Sequence, residues 1–319
     1  MPLPNLIIPG TQKSATTTLF YILKEHPDVF FPNEKEPHFF SNISNLNNLS
    51  EYKTLFLKAT DSHKIRADGS TSYFYNPDVP KRLIKYLGSE IKFIFIFRNP
   101  IHRAISAYWQ LYKRKIPGTL TWFENRRIDE VFRTDFTSLA SYLHYEEDFL
   151  KNSLETEKAN VFDFDNKYDD PKWPFRYVKN SVYSEFLRYY LNEFDVSQML
   201  FLTTEELESH PEKTLVKIAS FLNINEQVIP DNVGEKYGKT IIPLKGPIYN
   251  YVHYIIPYIN KISGGRINVI QKMYKKHCFI NKPSTPISVV SALGVLFTKE
   301  IEICSELTGL DLKKQWTTN

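Results

Sequence analysis

The chain is predicted to fold as an α/β protein, with a central parallel β-sheet and helices on both faces. Three observations lead there. Residues 6–8, 91–97 and 199–203 are short apolar runs without the strict alternation of a half-solvated sheet, as expected for strands buried on both faces. Segments with helical apolar spacing lie between them, as the crossovers of a parallel sheet require. Lys13, Asp68 and Arg98 fall where predicted strands end, the edge at which such sheets hold ligands, so one crevice could gather all three.

The first strand, Leu6-Ile-Ile8, runs into Pro9-Gly-Thr-Gln-Lys-Ser-Ala-Thr-Thr-Thr18. This reads as strand, tight turn and helix start, with one lysine among small residues. Backbone N–H groups at a helix N-terminus, together with the helix dipole, suit a phosphate-like anion. The run departs from the nucleoside-triphosphate loop, which has Gly before the Lys; here Gln12 precedes Lys13 and only Ser14 fits. The helix is expected to start near Thr16, to carry Leu19, Ile22 and Leu23 on one face, and to stop before Pro27.

Residues 64–68 form a short predicted strand, followed by Gly69-Ser-Thr-Ser-Tyr-Phe74. Residues 91–97 are apolar at all but one position and lead into Arg98-Asn-Pro-Ile-His-Arg-Ala-Ile-Ser106, where Asn99 suits an N-cap and Pro100 the first helical position. Arg98 is thereby placed at a strand end, where its planar fork can donate two hydrogen bonds to a phosphate. Ser106 follows about two turns into the helix, and His102 shares its face. Tyr183, Phe186, Leu187, Tyr190, Leu191 and Phe194 predict a core helix over 181–194; a strand over 199–203 and a helix after Pro211 follow. Residues 113–135 and 151–180 lack clean periodicity, and the second stretch could form a flap over an acceptor.

Composition bounds the rest. At 319 residues one domain, 1–319, is expected. Apolar residues at 42% suffice for a sizeable core, and the high aromatic share of 15% favours deep clefts and stacking surfaces. A net charge of +4 fits an anionic cosubstrate and is too small to argue for nucleic acid. The short basic clusters Lys113-Arg-Lys115 and Arg126-Arg127 read as a solvated face rather than a polynucleotide site. Two cysteines, Cys278 and Cys304, do not make a disulfide scaffold, and each reads as a small buried apolar residue. No run reaches the roughly 18 apolar residues of a membrane span, and a core strand beginning by Leu6 leaves no room for a leader, so a cytoplasmic protein without an integral membrane segment is expected. Asp163-Phe-Asp165 lacks the Gly of a calcium loop and has Pro174 at the twelfth position, so no metal site is assigned.

Four ordered motifs give the chain its resemblance to the sulfotransferase superfamily that uses 3′-phosphoadenosine 5′-phosphosulfate (PAPS). Residues 9–19 resemble its 5′-phosphosulfate loop and residues 98–106 its 3′-phosphate motif. Lys35-Glu-Pro-His-Phe-Phe40 is similar to the Glu-x-His-Phe-Phe element of the heparan-sulfate-type and bacterial carbohydrate branch. The stretch from Phe297 through Leu307-Thr-Gly-Leu-Asp-Leu312 to Trp316 resembles the closing helix of that branch.

The resemblance implies a P-loop nucleotide-kinase-like sulfotransferase fold, PAPS as cosubstrate, no metal, and transfer to a sugar-like or small-molecule acceptor; a small polar secondary metabolite or toxin is the alternative. It places the 5′-phosphosulfate on Lys13, Ser14, Ala15, Thr16, Thr17 and Thr18, and the 3′-phosphate on Arg98 and Ser106. Lys13 would also stabilise charge on the leaving phosphate. Glu36 would be the base, with a pKa raised by desolvation, or else one of a pair with Glu34 on a solvated loop. His38 would orient Glu36, touch the acceptor, or be structural. Tyr183 resembles a tyrosine near the adenosine, although its place in an apolar stripe also suits plain packing. Lys239 and Lys245 resemble a late basic loop closing over the cosubstrate. Thr17 and Gly69 stand where heparan-type enzymes carry Arg and Lys, which argues against a polyanionic acceptor. An ATP-dependent phosphotransferase is the more distant alternative, and it would need a strand-end Asp such as Asp68 for Mg²⁺.

Overall fold

The computed structural model describes residues 3–112, 124, 126–156, 168–170, 172–237, 242–243, 279–280 and 283–317. Lys239, Lys245, Cys278, the cluster at 113–115 and the Asp163/Asp165 pair lie outside the described residues.

Five parallel strands form the central sheet: β1 (Leu6–Gly10), β2 (Val29–Phe30), β3 (Ile65–Asp68), β4 (Lys92–Phe97) and β5 (Met199–Thr203). Their order is β2-β3-β1-β4-β5. β4 lies in register with β5 from Phe93 opposite Met199 to Phe97 opposite Thr203. From β1 the chain passes to the edge strand β2, returns to β3 and then crosses to β4 and β5 on the other side, so the carboxyl ends of β1 and β4 form the switch point at which a crevice opens. A two-stranded antiparallel pair, β6 (Ile242–Pro243) with β7 (Phe279–Ile280), stands apart from this sheet.

Strand period two divides the core between the faces. Phe93, Phe95 and Phe97 pack on one face with Phe74, Tyr183, Phe186 and Tyr190. Ile94 and Ile96 face the opposite way, with Leu6, Ile8 and Leu202, and are covered by α1 (Thr16–Lys24) and α9 (Pro211–Leu222) through Leu19, Leu23, Leu215 and Ile218. All five β4 residues from Phe93 to Phe97 are at most 1% exposed, and each such side chain contributes roughly 1.5–3 kcal/mol of burial.

Most boundaries match the sequence reading to within two or three residues, including the predicted 199–203 strand. The 181–194 helix is shorter, α7 (Tyr183–Leu191), with Phe194 still buried beyond its end. The remaining helices on the way are α2 (Leu49–Thr54), α3 (Val79–Leu87), α4 (Pro100–Tyr112) and α8 (Thr204–Ser209). Asn99 caps α4 as expected: its Oδ1 accepts the Ile101 N–H at 3.0 Å.

Two differences are informative. Short α5 (Ile128–Val131) and the 18-residue α6 (Leu139–Thr156) occupy a region where no helix is read from sequence, because Glu146-Glu-Asp148 interrupts the apolar stripe. Buried Glu146 accepts the backbone N–H groups of Val178 and Lys179 and so is a structural acceptor. The expected closing helix is two helices, α10 (Ile287–Thr308) and α11 (Leu312–Thr317), broken at Gly309 with a left-handed φ of 70°. The break lets α11 turn back over the ends of β4 and β5. There Trp316 Nε1 donates to Glu205 at 3.1 Å, Asn99 Nδ2 donates to the Trp316 carbonyl at 3.1 Å, and Thr203 donates to Gln315 at 2.8 Å.

Candidate active site

The turn after β1 is fixed from three sides. The Thr11 N–H donates to the Ile96 carbonyl of β4, the Thr11 and Ser14 hydroxyls lie 2.5 Å apart, and the Gln12 N–H donates to the Tyr75 hydroxyl at 3.0 Å. Lys13 and Ala15 adopt left-handed φ values of 73° and 63°. Non-glycine residues rarely do so, and such conformations concentrate where surrounding structure holds a working geometry. Ala15 is the N-cap of α1, and no side chain caps that helix. The N–H groups of Thr16, Thr17 and Thr18 therefore head the helix with no competing side-chain oxygen among the described residues, which suits an anion. Thr18 accepts the Tyr237 N–H at 3.1 Å, so the described chain reaches the loop at the point where the Lys239–Lys245 stretch begins.

Arg98 leaves the end of β4 and donates to the Lys13 carbonyl at 3.3 Å, which joins two of the predicted phosphate ligands. Beyond it lies a cleft of about 150 Å³ lined by Arg98, Asn99, His102, Thr204, Glu205 and Trp316, among others. Ser106 is buried and does not line this cleft. Tyr183 is fully buried; its hydroxyl donates to the Arg98 carbonyl at 2.8 Å and its ring packs on Phe97 and Phe74. Its packing in the core stripe is thus what the structure displays, and it fixes Arg98 from behind. Burial pushes its phenol well up.

Glu36 and His38 lie on the segment before a short 3₁₀ turn at Phe39–Ser41. Glu36 forms an ion pair with Lys35, and its other oxygen accepts the Thr71 hydroxyl at 2.6 Å and the Thr71 N–H at 3.2 Å. His38 Nε2 stands 3.6 Å from the same oxygen, while His38 Nδ1 lies 2.7 Å from the Ser72 hydroxyl. His38 also has a left-handed φ of 55° and its N–H donates to the Ser70 hydroxyl. Of the four positive-φ non-glycine residues among those described, three are thus Lys13, Ala15 and His38.

The expected rise in the Glu36 pKa is corrected here. Burial alone would raise it, but the charges of Lys35 and His38 and the bonds from Lys35 and Thr71 outweigh burial and hold the carboxyl below its ordinary value. Glu36 is neither a solvated loop residue nor a protonated acid at neutral pH; it is an oriented carboxylate. Lys35 and Thr71 as partners of Glu36, and Ser70 and Ser72 as partners of His38, are not read from the sequence. The signal was available in Asp68-Gly-Ser-Thr-Ser72 at a strand end, a run of short hydrogen-bonding side chains with little capacity to pack.

Asp68 does not reach the crevice. Fully buried, it accepts from Tyr52 at 2.7 Å and Tyr73 at 2.9 Å on one oxygen, and from the Ser70 hydroxyl and N–H on the other. Burial raises its pKa against these four donors. The strand-end carboxylate that a Mg²⁺-dependent phosphotransferase would use is here an internal strut for the 70–72 turn that orients Glu36 and His38.

The two halves of the site meet directly. A Cβ on Gly10 would lie 3.2 Å from Phe74 Cβ and 3.5 Å from the Thr71 carbonyl, so the phosphate loop and the turn holding Glu36 approach at backbone distance. Tyr75, at the end of that turn, is the residue that holds Gln12. A loop suited to an anion, a strand-end arginine and an oriented carboxylate therefore share one sheet edge, an arrangement suited to moving a charged group onto an acceptor that must lose a proton.

Comparison with known proteins agrees with this geometry. A family model described as a sulfotransferase domain matches residues 3–237. The chain is 25% identical over 318 residues to the membrane-associated sulfotransferase kil1 of Dictyostelium discoideum, covering 86% of this chain and 66% of that protein. It is 26% identical over 231 residues to human heparan sulfate glucosamine 3-O-sulfotransferase 5, covering 72% of this chain and 56% of the relative. The chain thus spans a little over half to about two-thirds of the length of these relatives. In fold it is similar to a sulfotransferase from Alicyclobacillus acidocaldarius, with a TM-score of 0.60 at 18% identity and 99% of each chain covered.

Proposed function

Because the chain belongs to the sulfotransferase domain family, we propose that it transfers the sulfuryl group of PAPS to a hydroxyl or amine of a sugar-like acceptor. The single observation that carries this reading is the close approach of the loop after β1, joined to Arg98 through the Lys13 carbonyl, to the turn whose Thr71 holds the Glu36 carboxylate. The family implies the donor; the human relative's name attaches a glycan acceptor to that protein, and the motif branch extends a sugar-like acceptor to this one.

The uncapped N-terminus of α1, with Lys13, Ser14 and Thr16–Thr18, would hold the 5′-phosphosulfate. Arg98 would take the 3′-phosphate beside the cleft that it lines, with Ser106 as the family's second ligand. Bound there, the cosubstrate supplies an electrophilic sulfur with a phosphate leaving group. Glu36 accepts the proton of the acceptor as its oxygen or nitrogen bonds to sulfur. The bond from sulfur to the bridging oxygen breaks in line, and Lys13 stabilises the charge that gathers on that oxygen. Atoms balance with sulfated acceptor, 3′-phosphoadenosine 5′-phosphate and a protonated Glu36, and no covalent enzyme intermediate is needed.

The test is transfer of label from PAPS to a panel of methyl glycosides and small amines. Wild type is expected to label at least one acceptor, and Glu36→Gln to lose about a hundredfold or more of kcat while keeping affinity for 3′-phosphoadenosine 5′-phosphate within twofold. Undiminished turnover in the variant would remove Glu36 from the reaction.

A further inference from the structure

Beside Glu36 the structure has a feature that the donor site does not use. Four rings form a continuous wall from His38 to the phosphate loop. His38 meets Tyr168 edge-on at 5.1 Å, Tyr168 meets Trp173 at 5.4 Å, and Trp173 stacks on Tyr75 at 5.4 Å with 20° between planes. Tyr75 in turn holds Gln12 of the phosphate loop. The wall therefore spans from the base to the donor, the span an acceptor must bridge.

The wall is built rather than incidental. Asp169, next to Tyr168, accepts from the Ile43 N–H at 2.8 Å and from Asn76 at 3.1 Å, and forms an ion pair with Arg82 at 2.7 Å. Its own N–H donates to the Ser41 carbonyl. Tyr168 is thereby pinned over His38 by bonds to two separate segments. Trp173 is 7% exposed, yet among the described residues its indole N–H has no partner, and Gln12 Oε1 is likewise buried without one. Buried polar atoms almost always find partners, so an orphan donor and an orphan acceptor on either side of Tyr75 point to a ligand that supplies both, as a hydroxyl does.

Charge restricts that ligand further. Among the described residues around the wall, Arg82 is paired with Asp169, Arg176 with Asp170 and Glu147, Lys35 with Glu36, and Lys179 with Glu185. A polyanion would have to compete with these acids and leave them uncompensated, and Arg103 beside Tyr75 is fully buried and bonded to Ser181 and the Tyr177 carbonyl. Flat C–H faces and hydroxyls need no such exchange.

We propose that the wall formed by Tyr75, Trp173, Tyr168 and His38 is the acceptor platform, and that it takes an uncharged pyranoside. The C–H face of the sugar stacks on the partly exposed rings of Tyr168 and Tyr75, and one hydroxyl bonds to Trp173 Nε1 and Gln12 Oε1. This proposal deepens the sulfotransferase reading and rests on it for the direction of transfer.

The experiment measures dissociation constants by saturation-transfer NMR for methyl glucoside, galactoside, mannoside and rhamnoside, a heparin tetrasaccharide, and p-nitrophenol. Each is titrated with and without 3′-phosphoadenosine 5′-phosphate. The expected result is binding of at least one neutral glycoside, weakened tenfold or more in Trp173→Leu and about threefold in Trp173→Phe, which keeps the ring and removes only the N–H. Nucleotide affinity should stay within twofold in both variants, which also reports intact folding. Binding of the heparin tetrasaccharide or the phenol in place of every glycoside would overturn the proposal, as would glycoside binding indifferent to both variants. Loss of nucleotide binding in wild type would instead overturn the donor reading, and the glycoside titrations without nucleotide would still decide the platform.

Discussion

Glu36 sits between a lysine and a threonine hydroxyl, and that neighbourhood fixes both its charge and its pH behaviour. Lys35 and His38 favour the ionised carboxylate more than burial opposes it, so the folded-state pKa lies below the ordinary 4.5. A depressed acid contributes stability that is present above its unfolded pKa and is lost as pH falls through the folded one. With Glu36 in its proposed role as base, the same sign governs activity: the acid limb of kcat/KM should lie below pH 4.5, with the carboxylate ionised at neutral pH. Lys35→Met removes the largest opposing charge, so the limb should move to higher pH. A pH–rate profile of the two proteins checks this, and a limb unmoved in the variant would show that Lys35 does not set the charge of the base. From sequence Glu36 could be found but its environment could not, because Thr71 reaches it from 35 positions away.

The 68–75 turn is the element that converts fold into geometry. Asp68 holds Ser70, Tyr52 and Tyr73 from inside, Thr71 and Ser72 orient Glu36 and His38, and Tyr75 holds the phosphate loop. Asp68→Ala would leave two phenols and a serine hydroxyl buried without an acceptor, each costing about 1–3 kcal/mol, so a total loss of about 3 kcal/mol or more is expected. Urea unfolding would measure it; a loss under 1 kcal/mol would mean the carboxylate is not the strut described here. At this scale the sequence was legible where one face dominates: the β4 run, the cap at Asn99 and the loop after β1 all read directly from apolar period and turn chemistry. It was less so in α6, where Glu146 faces inward to accept two backbone N–H groups, and at Gly309, where a glycine within a helical run marks a change of direction. In both places tertiary contacts override the local pattern.

Across the whole molecule, strand order places the chemistry. With β1 and β4 adjacent at the centre, the residues that follow them, Lys13 and Arg98, meet without any long-range loop having to reach across. β3 on the other side of β1 brings the Glu36-orienting turn against the same edge. α11 closes the far end through Trp316 and Gln315, behind Arg98. Truncating Trp316 to Ala should therefore cost stability, about 3–5 kcal/mol for a buried tryptophan, and loosen the arginine side of the cleft, read as a lower melting temperature together with weaker nucleotide binding. A lowered melting temperature with unchanged nucleotide affinity would separate the seal from the site.

The most direct measurement is calorimetric titration with 3′-phosphoadenosine 5′-phosphate beside ADP, on wild type and Arg98→Ala. The expected result is tight binding of the 3′-phosphorylated nucleotide, at least tenfold weaker binding of ADP, and loss of that preference in the variant, as one charge-assisted phosphate contact would give. Equal affinity for the two nucleotides, or a preference that survives loss of Arg98, would contradict it.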